Sequence, residues 1–291
     1  MNDLERYFRE KYLSENTIKT YLRNISIFIN WYSGEIINID PIIVDNYKKY
    51  LMEERKISIR SVAAYFNSLK IFIKYIYERY RIVTKLSVIN EYGKLIRVNI
   101  PHIKHKIKDI NYNKELSVKE VKRLLKVALK TNERDYLLFL TMTLTGMRVS
   151  EALSLKVFQL KDLMIEVTLK GRTRSLILPP SLKSKLKKFT KDFESGSYIF
   201  KSNRKLDKAL DRKTVYSLMQ KYAGEAKLKK EKCFPHNLRK HYTVNEINIG
   251  TDIQTLADEL GHKNLETLRI YKERSVEEKR KRMQKIAKKY G

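Results

Sequence analysis

Residues 145–153 read Thr-Gly-Met-Arg-Val-Ser-Glu-Ala-Leu, a glycine followed by a short pattern typical of a helix. Gly146 predicts a turn that leads into a short helix, so Arg148 lies at a helix start beside free backbone amides. The amides, the helix dipole and the guanidinium all favour an anion such as a phosphate group. Glu151 lies three residues further on the same face and can orient Arg148. Alone, such a pair is more often a surface ion pair.

Two further polar groups follow in the second half of the chain. His236 and Arg239 are three residues apart, so one helix presents both on one side. Arginine binds two phosphate oxygens at once, and histidine donates a hydrogen bond or moves a proton near neutral pH. Gly261-His262 ends another helical pattern, and Tyr271 lies nine residues beyond His262. A tyrosine at helical spacing is usually part of a core, and the chain has 19 tyrosines.

Between these groups the pattern changes from helix to strand. Apolar residues alternate from Met164, a Lys-Gly-Arg-Thr-Arg turn follows, and a second apolar stretch ends at Leu178. The alternation predicts a β-hairpin whose basic tip carries Lys170, Arg172 and Arg174.

The chain is strongly basic. Its 62 Lys and Arg residues oppose 33 Asp and Glu, which gives a formal net charge of +29. Residues 1–100 hold 17 basic and 11 acidic residues, whereas residues 101–291 hold 45 and 22. A compact fold with this excess repels itself unless a polyanion compensates for it. Nucleic acid is the first candidate partner and an anionic membrane surface the second; a generally basic, soluble protein is the remaining interpretation.

Each motif alone is weak evidence for a function, but their order and spacing together point to one protein family. Gly-x-Arg-x-x-Glu-Ala-Leu at 146–153, a basic hairpin, His-x-x-Arg at 236–239, and Leu-Gly-His at 260–262 with Tyr271 beyond it resemble the tyrosine recombinase family of phage integrases and Xer proteins. The resemblance covers the whole chain in layout, and its motifs lie densely in the second half. It implies a site-specific recombinase that cleaves and rejoins double-stranded DNA.

The resemblance also assigns roles to individual residues. The expected catalytic residues, which hold or attack one backbone phosphate, are Arg148, Lys170, His236, Arg239, His262 and Tyr271, with Tyr271 as the nucleophile. Glu151 is expected to support Arg148, and Arg172, Arg174 and Lys240 are expected to contact DNA. There is one departure from the family pattern: Lys240 stands where a histidine usually follows the second arginine directly, and His241 comes after it.

These residue types suit attack on a phosphodiester. Two arginines can balance the charge that develops on the non-bridging oxygens, as a metal ion does in other enzymes. Nearby cations favour the phenolate of a tyrosine, whose ordinary pKa is about 10. Lys170 is the expected acid for the departing 5′ oxygen, although Arg172 and Arg174 share its turn and a plain DNA-touching tip is the alternative. The expected 3′-phosphotyrosyl link conserves the bond energy, so the reaction needs no metal, cofactor or ATP.

Helical periodicity dominates and predicts a mainly α fold with a small β-sheet. Ser14, Asp40 before Pro41, and Ser58 are expected N-caps in a four-helix region over the first 80 residues. Ser117 and Glu120 form an expected capping box that opens the second helical region.

The resemblance implies two domains. Residues 1–95 are expected to form a helical, SAM-like core-binding domain that binds DNA, and residues 96–113 a basic linker. Residues 114–291 are expected to form an α+β catalytic domain with a tail helix at about 275–290. Residues 272–291 hold nine basic and three acidic residues, so a solvated or DNA-touching tail is one interpretation. The family implies another, in which tails are exchanged between the protomers of a tetramer on paired DNA sites.

Several alternatives stay open. A type IB topoisomerase shares the cleavage chemistry, and a non-catalytic DNA-binding or architectural protein is allowed by the charge. Within recombinases, chromosome-dimer resolution and viral or plasmid integration are not separated, although the short chain favours a Xer-like role. The charged N-terminus, the lack of a long apolar run and the single Cys233, interpreted as a small buried hydrophobe, predict a cytoplasmic protein that does not enter a membrane.

Overall fold

The structure, a computed structural model, describes residues 2–101, 103, 115–169, 172–203, 207–261 and 283–284. The chain divides into an N-terminal unit, residues 1–110, and a C-terminal unit, residues 111–291. Lys170, His262 and Tyr271 lie outside the described residues, as does the expected tail helix apart from residues 283–284.

The described part of the N-terminal unit contains four α-helices, as the sequence predicted. They are α1 (Asn2–Glu10), α2 (Glu15–Trp31), α3 (Pro41–Lys49) and α4 (Ile59–Tyr80). Ser14, Asp40 and Ser58 each accept a hydrogen bond from a backbone amide of the first turn, so all three predicted N-caps are confirmed. A single π-helical turn, Tyr50–Glu54, extends α3.

An apolar and aromatic core holds these four helices together. Phe28 on α2 meets Tyr47 on α3 edge to face, with ring centroids 4.9 Å apart, and both side chains are buried. Ile73 on α4 is fully buried in the same core. Each fully buried side chain of this size contributes roughly 1.5–3 kcal/mol through loss of apolar surface to water.

A short hairpin follows α4 and corrects the predicted start of the linker. Strand β1 (Ser87–Ile89) pairs antiparallel with β2 (Leu95–Val98), and Gly93 turns between them at φ +68°. Ile100 is buried in the core of the N-terminal unit. Residues 96–100 were predicted to be linker and are instead part of this unit, because the alternation in Leu95–Val98 is too short to be recognised as a strand.

The described residues of the C-terminal unit form helices and a β-hairpin, one face of which is exposed. The elements of this unit are α5 (Val118–Thr131), α6 (Glu133–Thr145), α7 (Val149–Leu153), β3 (Met164–Leu169), β4 (Arg172–Ile177), α8 (Pro180–Phe189), α9 (Arg212–Glu225), α10 (Pro235–Ile249) and α11 (Ile253–Leu260). The predicted capping box of Ser117 and Glu120 opens α5, and the predicted hairpin is formed by β3 and β4. With two two-stranded sheets among many helices, the predicted mainly α fold is confirmed.

Helix α6 forms the centre of the C-terminal unit and packs against α5, α8 and α10. The consecutive residues Leu137, Leu138 and Phe139 are all buried, so α6 buries more than one of its faces. Its buried Asp135 accepts hydrogen bonds from Tyr222 Oη at 2.7 Å and from Arg134, which supplies the polar partners that a buried carboxylate needs. The central position of α6 fixes the turn that follows it, where the site begins.

Within the described parts of the chain, no helix has both the length and the apolar character required to cross a membrane. In the same parts, no group of three or more His, Cys, Asp or Glu residues is arranged to hold a metal ion.

Candidate active site

The turn between α6 and α7 places the first arginine. Gly146 ends α6 in the left-handed conformation, at φ +61°. A Cβ atom at this position would lie 2.4 Å from Cδ1 of Tyr242, so a side chain is excluded by both backbone conformation and space. The chain then turns directly into Arg148, the N-cap residue of α7.

Arg148 is oriented by the buried Glu151, as the sequence predicted. Its Nη1 donates to Oε1 of Glu151 at 2.9 Å, and its backbone N donates to Oε2 at 2.8 Å. The Glu151 side chain is 2% exposed, whereas 36% of the Arg148 side chain remains exposed. Because Glu151 fixes the guanidinium of Arg148 while part of it stays exposed, Arg148 can donate hydrogen bonds to an anion that arrives from solvent.

Arg239 reaches the same place from α10. Pro235 is the first residue of that helix, so Arg239 lies in its second turn, where it is 2% exposed. Its Nη1 donates to the carbonyl of Gly146 at 2.7 Å and its Nη2 to the carbonyl of Leu260 at 2.5 Å. Burial, followed by the positive charge of Arg148, lowers the pKa of Arg239. The guanidinium is therefore kept in the interior by main-chain acceptors on two other elements.

The end of α11 brings the two arginines together. Arg148 donates through Nη1 to the carbonyl of Leu260 at 3.3 Å and through Nη2 to that of Gly261 at 3.2 Å. Arg239 uses the same Leu260 carbonyl. The last carbonyls of a helix lack partners within the helix and carry its negative dipole end, so they favour cations. Gly261 is followed in the sequence directly by His262.

His236 lies in the first turn of α10, and its side chain is exposed. Partial burial of the ring lowers the pKa of His236, and the positive charges of Lys240, Arg239 and Arg148 lower it further. The imidazole is therefore neutral near pH 7 in the absence of an anion, and it lies within the electrostatic field of both arginines.

Arg174 differs from its expected role. The sequence placed it on a solvated, DNA-touching tip, but its side chain is only 12% exposed and its Nη2 donates to Oε2 of Glu151 at 2.7 Å. This basic residue of the hairpin points inwards, because a buried carboxylate lies beneath it. Nothing in the sequence pattern distinguished Arg174 from Arg172, whose side chain lies outside the described residues.

One carboxylate thus faces three guanidinium groups. Glu151 pairs with Arg148 and Arg174, and Nη1 of Arg239 lies 4.0 Å from its Oε2. Burial alone raises the pKa of Glu151, but hydrogen bonds from Arg174 and Arg148 outweigh it, so the net shift is downwards and the group stays ionised. Three positive charges against one negative charge leave an excess that suits a phosphate group.

His241, next to the second motif, has a structural role that sequence reasoning missed. His241 is 7% exposed; its Nδ1 lies 2.9 Å from the carbonyl of Leu116, and its Nε2 lies 2.9 Å from Nδ2 of Asn245. These partners require Nδ1 to donate and Nε2 to accept, so the ring is neutral. His241 therefore ties α10 to the start of the C-terminal unit. Lys240, expected to contact DNA, is partly exposed.

Cys233 is fully buried, and burial raises the pKa of its thiol to about 11. The prediction that it serves as a small buried hydrophobe agrees with this position.

The sequence is similar to those of known protein families and known proteins. Residues 114–278 match the model of the phage integrase family, and residues 1–81 match the phage integrase N-terminal SAM-like domain. A tyrosine recombinase of Pseudothermotoga lettingae is 26% identical over 271 residues, which cover 89% of this chain and 87% of that protein. The tyrosine recombinase XerA of Pyrococcus horikoshii is 29% identical over 266 residues, 89% of this chain and 83% of that protein.

Among solved structures, a lambda integrase tetramer bound to a Holliday junction has a TM-score of 0.68. The alignment covers 90% of this chain and 76% of the integrase, at 17% identity, and shows a shared fold.

The chain belongs to the phage integrase family, whose members similar to it are tyrosine recombinases. The resemblance identified from the motifs is confirmed, and the relatives support a site-specific recombinase rather than a topoisomerase or a non-catalytic DNA-binding protein.

Proposed function

We propose that the chain cleaves and rejoins DNA strands at a specific site through a covalent bond between Tyr271 and a 3′ phosphate. The observation that carries the proposal is the convergence of Arg148 and Arg239 at the end of α11, behind which Glu151 fixes Arg148. Two guanidiniums fixed before the phosphate arrives need little reorganisation as its charge develops, which is how preorganised donors accelerate such reactions.

The phenolic oxygen of Tyr271 attacks phosphorus as its proton passes to a base, and the bond between phosphorus and the 5′ oxygen breaks. The ammonium of Lys170 gives a proton to that oxygen, and a 3′-phosphotyrosyl link and a free 5′-hydroxyl result. Attack by another 5′-hydroxyl reverses the step, and the number of phosphoester bonds is unchanged. For this reason we propose rejoining without ATP.

His236 and His262 complete the proposed phosphate shell. A neutral His236 can donate one hydrogen bond to a non-bridging oxygen or take the proton of the phenol, and its lowered pKa supports the neutral form near pH 7. When a phosphate dianion-like transition state forms beside it, the negative charge raises the pKa of His236 and favours proton uptake. His262 follows Gly261, whose carbonyl is bound by Arg148.

Double-stranded DNA is the proposed partner. The excess of basic residues in 101–291 supplies the sequence-independent attraction, which releases counterions and weakens with salt. Arg172 and Lys240 are proposed to contact the backbone. The N-terminal unit, which contains the segment that matches the SAM-like domain, is proposed to be a core-binding DNA-binding domain joined by a linker to the catalytic domain.

We further propose a tetramer on two paired DNA sites, with the tail at about 275–290 docked on a neighbouring protomer. The likeness of the fold to an integrase tetramer on a Holliday junction supports the assembly. We propose a cytoplasmic, Xer-like role, since a relative from Pyrococcus horikoshii is named tyrosine recombinase XerA. Removing the residues after Ser275 should abolish recombination and leave binding to a single site detectable. Unchanged recombination would contradict the tail exchange.

A nicked DNA substrate tests the chemistry. The nick lets the 5′ fragment diffuse away after cleavage, so the enzyme is trapped as a covalent adduct that denaturing electrophoresis resolves. Wild-type protein and Tyr92→Phe, which alters an exposed tyrosine of the β1–β2 turn, should both form the adduct. Tyr271→Phe should form none. An adduct with Tyr271→Phe would assign the nucleophile elsewhere, and relaxation of supercoils without any site requirement would indicate a topoisomerase.

A further inference from the structure

The hairpin β3–β4 carries an arginine on the side where the neighbouring residues are apolar. Ile165 pairs with Leu176 and Val167 pairs with Arg174, and paired residues of an antiparallel hairpin project from the same face. Ile165 and Val167 are each 2% exposed, so this face is directed into the core of the C-terminal unit. Arg174 therefore occupies an inward position, where a charged side chain is costly unless it has a specific partner.

That partner is Glu151, the residue that also orients Arg148. Oε2 of Glu151 accepts from Nη2 of Arg174 at 2.7 Å and from the backbone N of Arg148 at 2.8 Å, while Oε1 accepts from Nη1 of Arg148 at 2.9 Å. One buried carboxylate therefore joins the hairpin to the first arginine of the site. A shift of the hairpin changes the hydrogen bonding of Glu151, and through it that of Arg148.

We propose that Arg174 is a positioning residue, which fixes the β3–β4 hairpin against Glu151 so that Lys170 at its tip is held in place to protonate the leaving 5′ oxygen. The inference rests on the proposed function for the role of Lys170. Arg174 lies four residues after Lys170, on the strand that leaves the tip. Its small exposed fraction separates this role from a direct contact with DNA.

Two further observations support a positional role. Nε of Arg174 is buried and has no hydrogen-bond partner, which costs free energy of folding. An ion pair between Arg174 and Glu151 that served only stability would not be expected to leave this donor unsatisfied. Arg174 also packs close to Gly261, because a Cβ atom at that glycine would lie 3.3 Å from its Cδ. The same side chain thus contacts both the carboxylate behind Arg148 and the residue that precedes His262.

The test compares two leaving groups. In a substrate with sulfur in place of the bridging 5′ oxygen, the leaving thiolate is stable without protonation, so cleavage no longer depends on a general acid. We expect Arg174→Met to slow cleavage of the ordinary substrate by about 10²-fold, within the range of general acid catalysis. On the sulfur substrate it should cleave within a few-fold of the wild-type rate. Lys170→Ala should be rescued in the same way, and Arg148→Ala should stay slow on both substrates.

Three controls separate the outcomes. Ser175→Ala alters the neighbouring residue, which is exposed on the opposite face of β4, and should leave both rates unchanged. Arg174→Lys keeps the charge but not the fork-shaped contact, so it should cleave the ordinary substrate at a rate between those of Arg174→Met and the wild type. It replaces Arg174→Met in the test if that variant folds poorly. Thermal unfolding and DNA affinity are measured for each variant.

Equal loss on both substrates, or no loss on either, would overturn the proposal for Arg174. Weaker DNA binding with a reduced salt dependence would show instead that Arg174 contacts phosphate directly. Failure of the wild-type protein to cleave either substrate would refute the proposed function itself. If the wild type cleaves but the sulfur substrate does not rescue Arg174→Met, only the proposal for Arg174 fails.

Discussion

The two units of the chain bury different kinds of polar group. In the N-terminal unit the described buried polar side chains are neutral: Asn24, Ser68 and Thr84. In the C-terminal unit they include the charged or titratable Asp135, Glu151, Arg239 and His241. The charged residues of the N-terminal unit that form ion pairs lie at its surface, as Arg6 and Glu10 do, with side chains 73% and 52% exposed.

This difference in buried charge indicates that the interior of the C-terminal unit is adapted to its proposed function. An unpaired charge in a protein interior is strongly unfavourable, so a fold selected only for stability buries neutral groups. The C-terminal unit instead surrounds Glu151 with three arginines and supplies main-chain carbonyls to Arg239. The N-terminal unit is proposed to contact DNA only through its surface, and such contacts do not require buried charges.

Removal of Arg239, the most buried Lys or Arg among the described residues, should have the largest effect. Arg239→Ala is expected to slow adduct formation on a nicked substrate by about 10³-fold or more, since one arginine in comparable phosphoryl-transfer enzymes contributes about 10³–10⁵. The rate is measured in single turnover with enzyme in excess. A variant with a rate within ten-fold of wild type would show that the buried charge serves structure only, and the contrast between the two units would then have no functional meaning.

In the N-terminal unit the largest effect should come from an apolar side chain. Phe28→Ala is expected to lower the free energy of unfolding by about 3–5 kcal/mol, because it removes a fully buried ring that contacts Tyr47. Urea titration followed by circular dichroism measures this loss. Loss of less than about 1 kcal/mol would indicate a core that closes over the gap, contrary to the packing observed.

Acid should act on the C-terminal unit through its buried histidine. Burial lowers the pKa of His241, although the bond with the Leu116 carbonyl opposes this. As pH falls through the ordinary histidine pKa of about 6.5, the unfolded chain binds a proton before the folded one does, so stability decreases with falling pH until the folded pKa is passed. His236 contributes in the same direction. Unfolding free energies at pH 7.5 and 5.5 should differ less in His241→Asn than in the wild type; an equal or larger difference would exclude His241 as the cause.

The smallest effect is expected for a surface ion pair of the N-terminal unit. Arg6→Ala removes the exposed contact with Glu10 and should change the free energy of unfolding by no more than about 0.5 kcal/mol. The same urea titration measures it. A loss above 1 kcal/mol would mean that surface charges stabilise this unit, and the comparison between buried and exposed charge would need revision.

Local signals in the sequence identified most elements, because they depend on near neighbours. Ser14, Asp40 and Ser58 bond within one helical turn, so their N-caps can be recognised from the sequence. The hairpin at 164–177 was recognised for the same reason. The β1–β2 hairpin was missed, since three- and four-residue strands carry too little alternation to distinguish them from a linker.

The site was only partly predictable for a related reason. Arg148 and Glu151 are close in sequence, and the motif order pointed to Arg239. The inward direction of Arg174 and the carbonyl partners of Arg239 depend on packing between distant segments. An arginine at the tip of a hairpin and an arginine on its inner face are the same residue type, so the sequence alone does not distinguish them. Only the position of Glu151 beneath the strand distinguishes them.

The acceptors that hold Arg239 are peptide oxygens of residues 146 and 260, and this has a consequence for how the site tolerates genetic change. No amino-acid replacement removes a main-chain oxygen, so each of these bonds can be lost by direct mutation only at its arginine end. A substitution at residue 260 can therefore leave its bond to Arg239 in place if the chain path is preserved, whereas residue 146 must remain glycine because a Cβ atom there would lie 2.4 Å from Cδ1 of Tyr242.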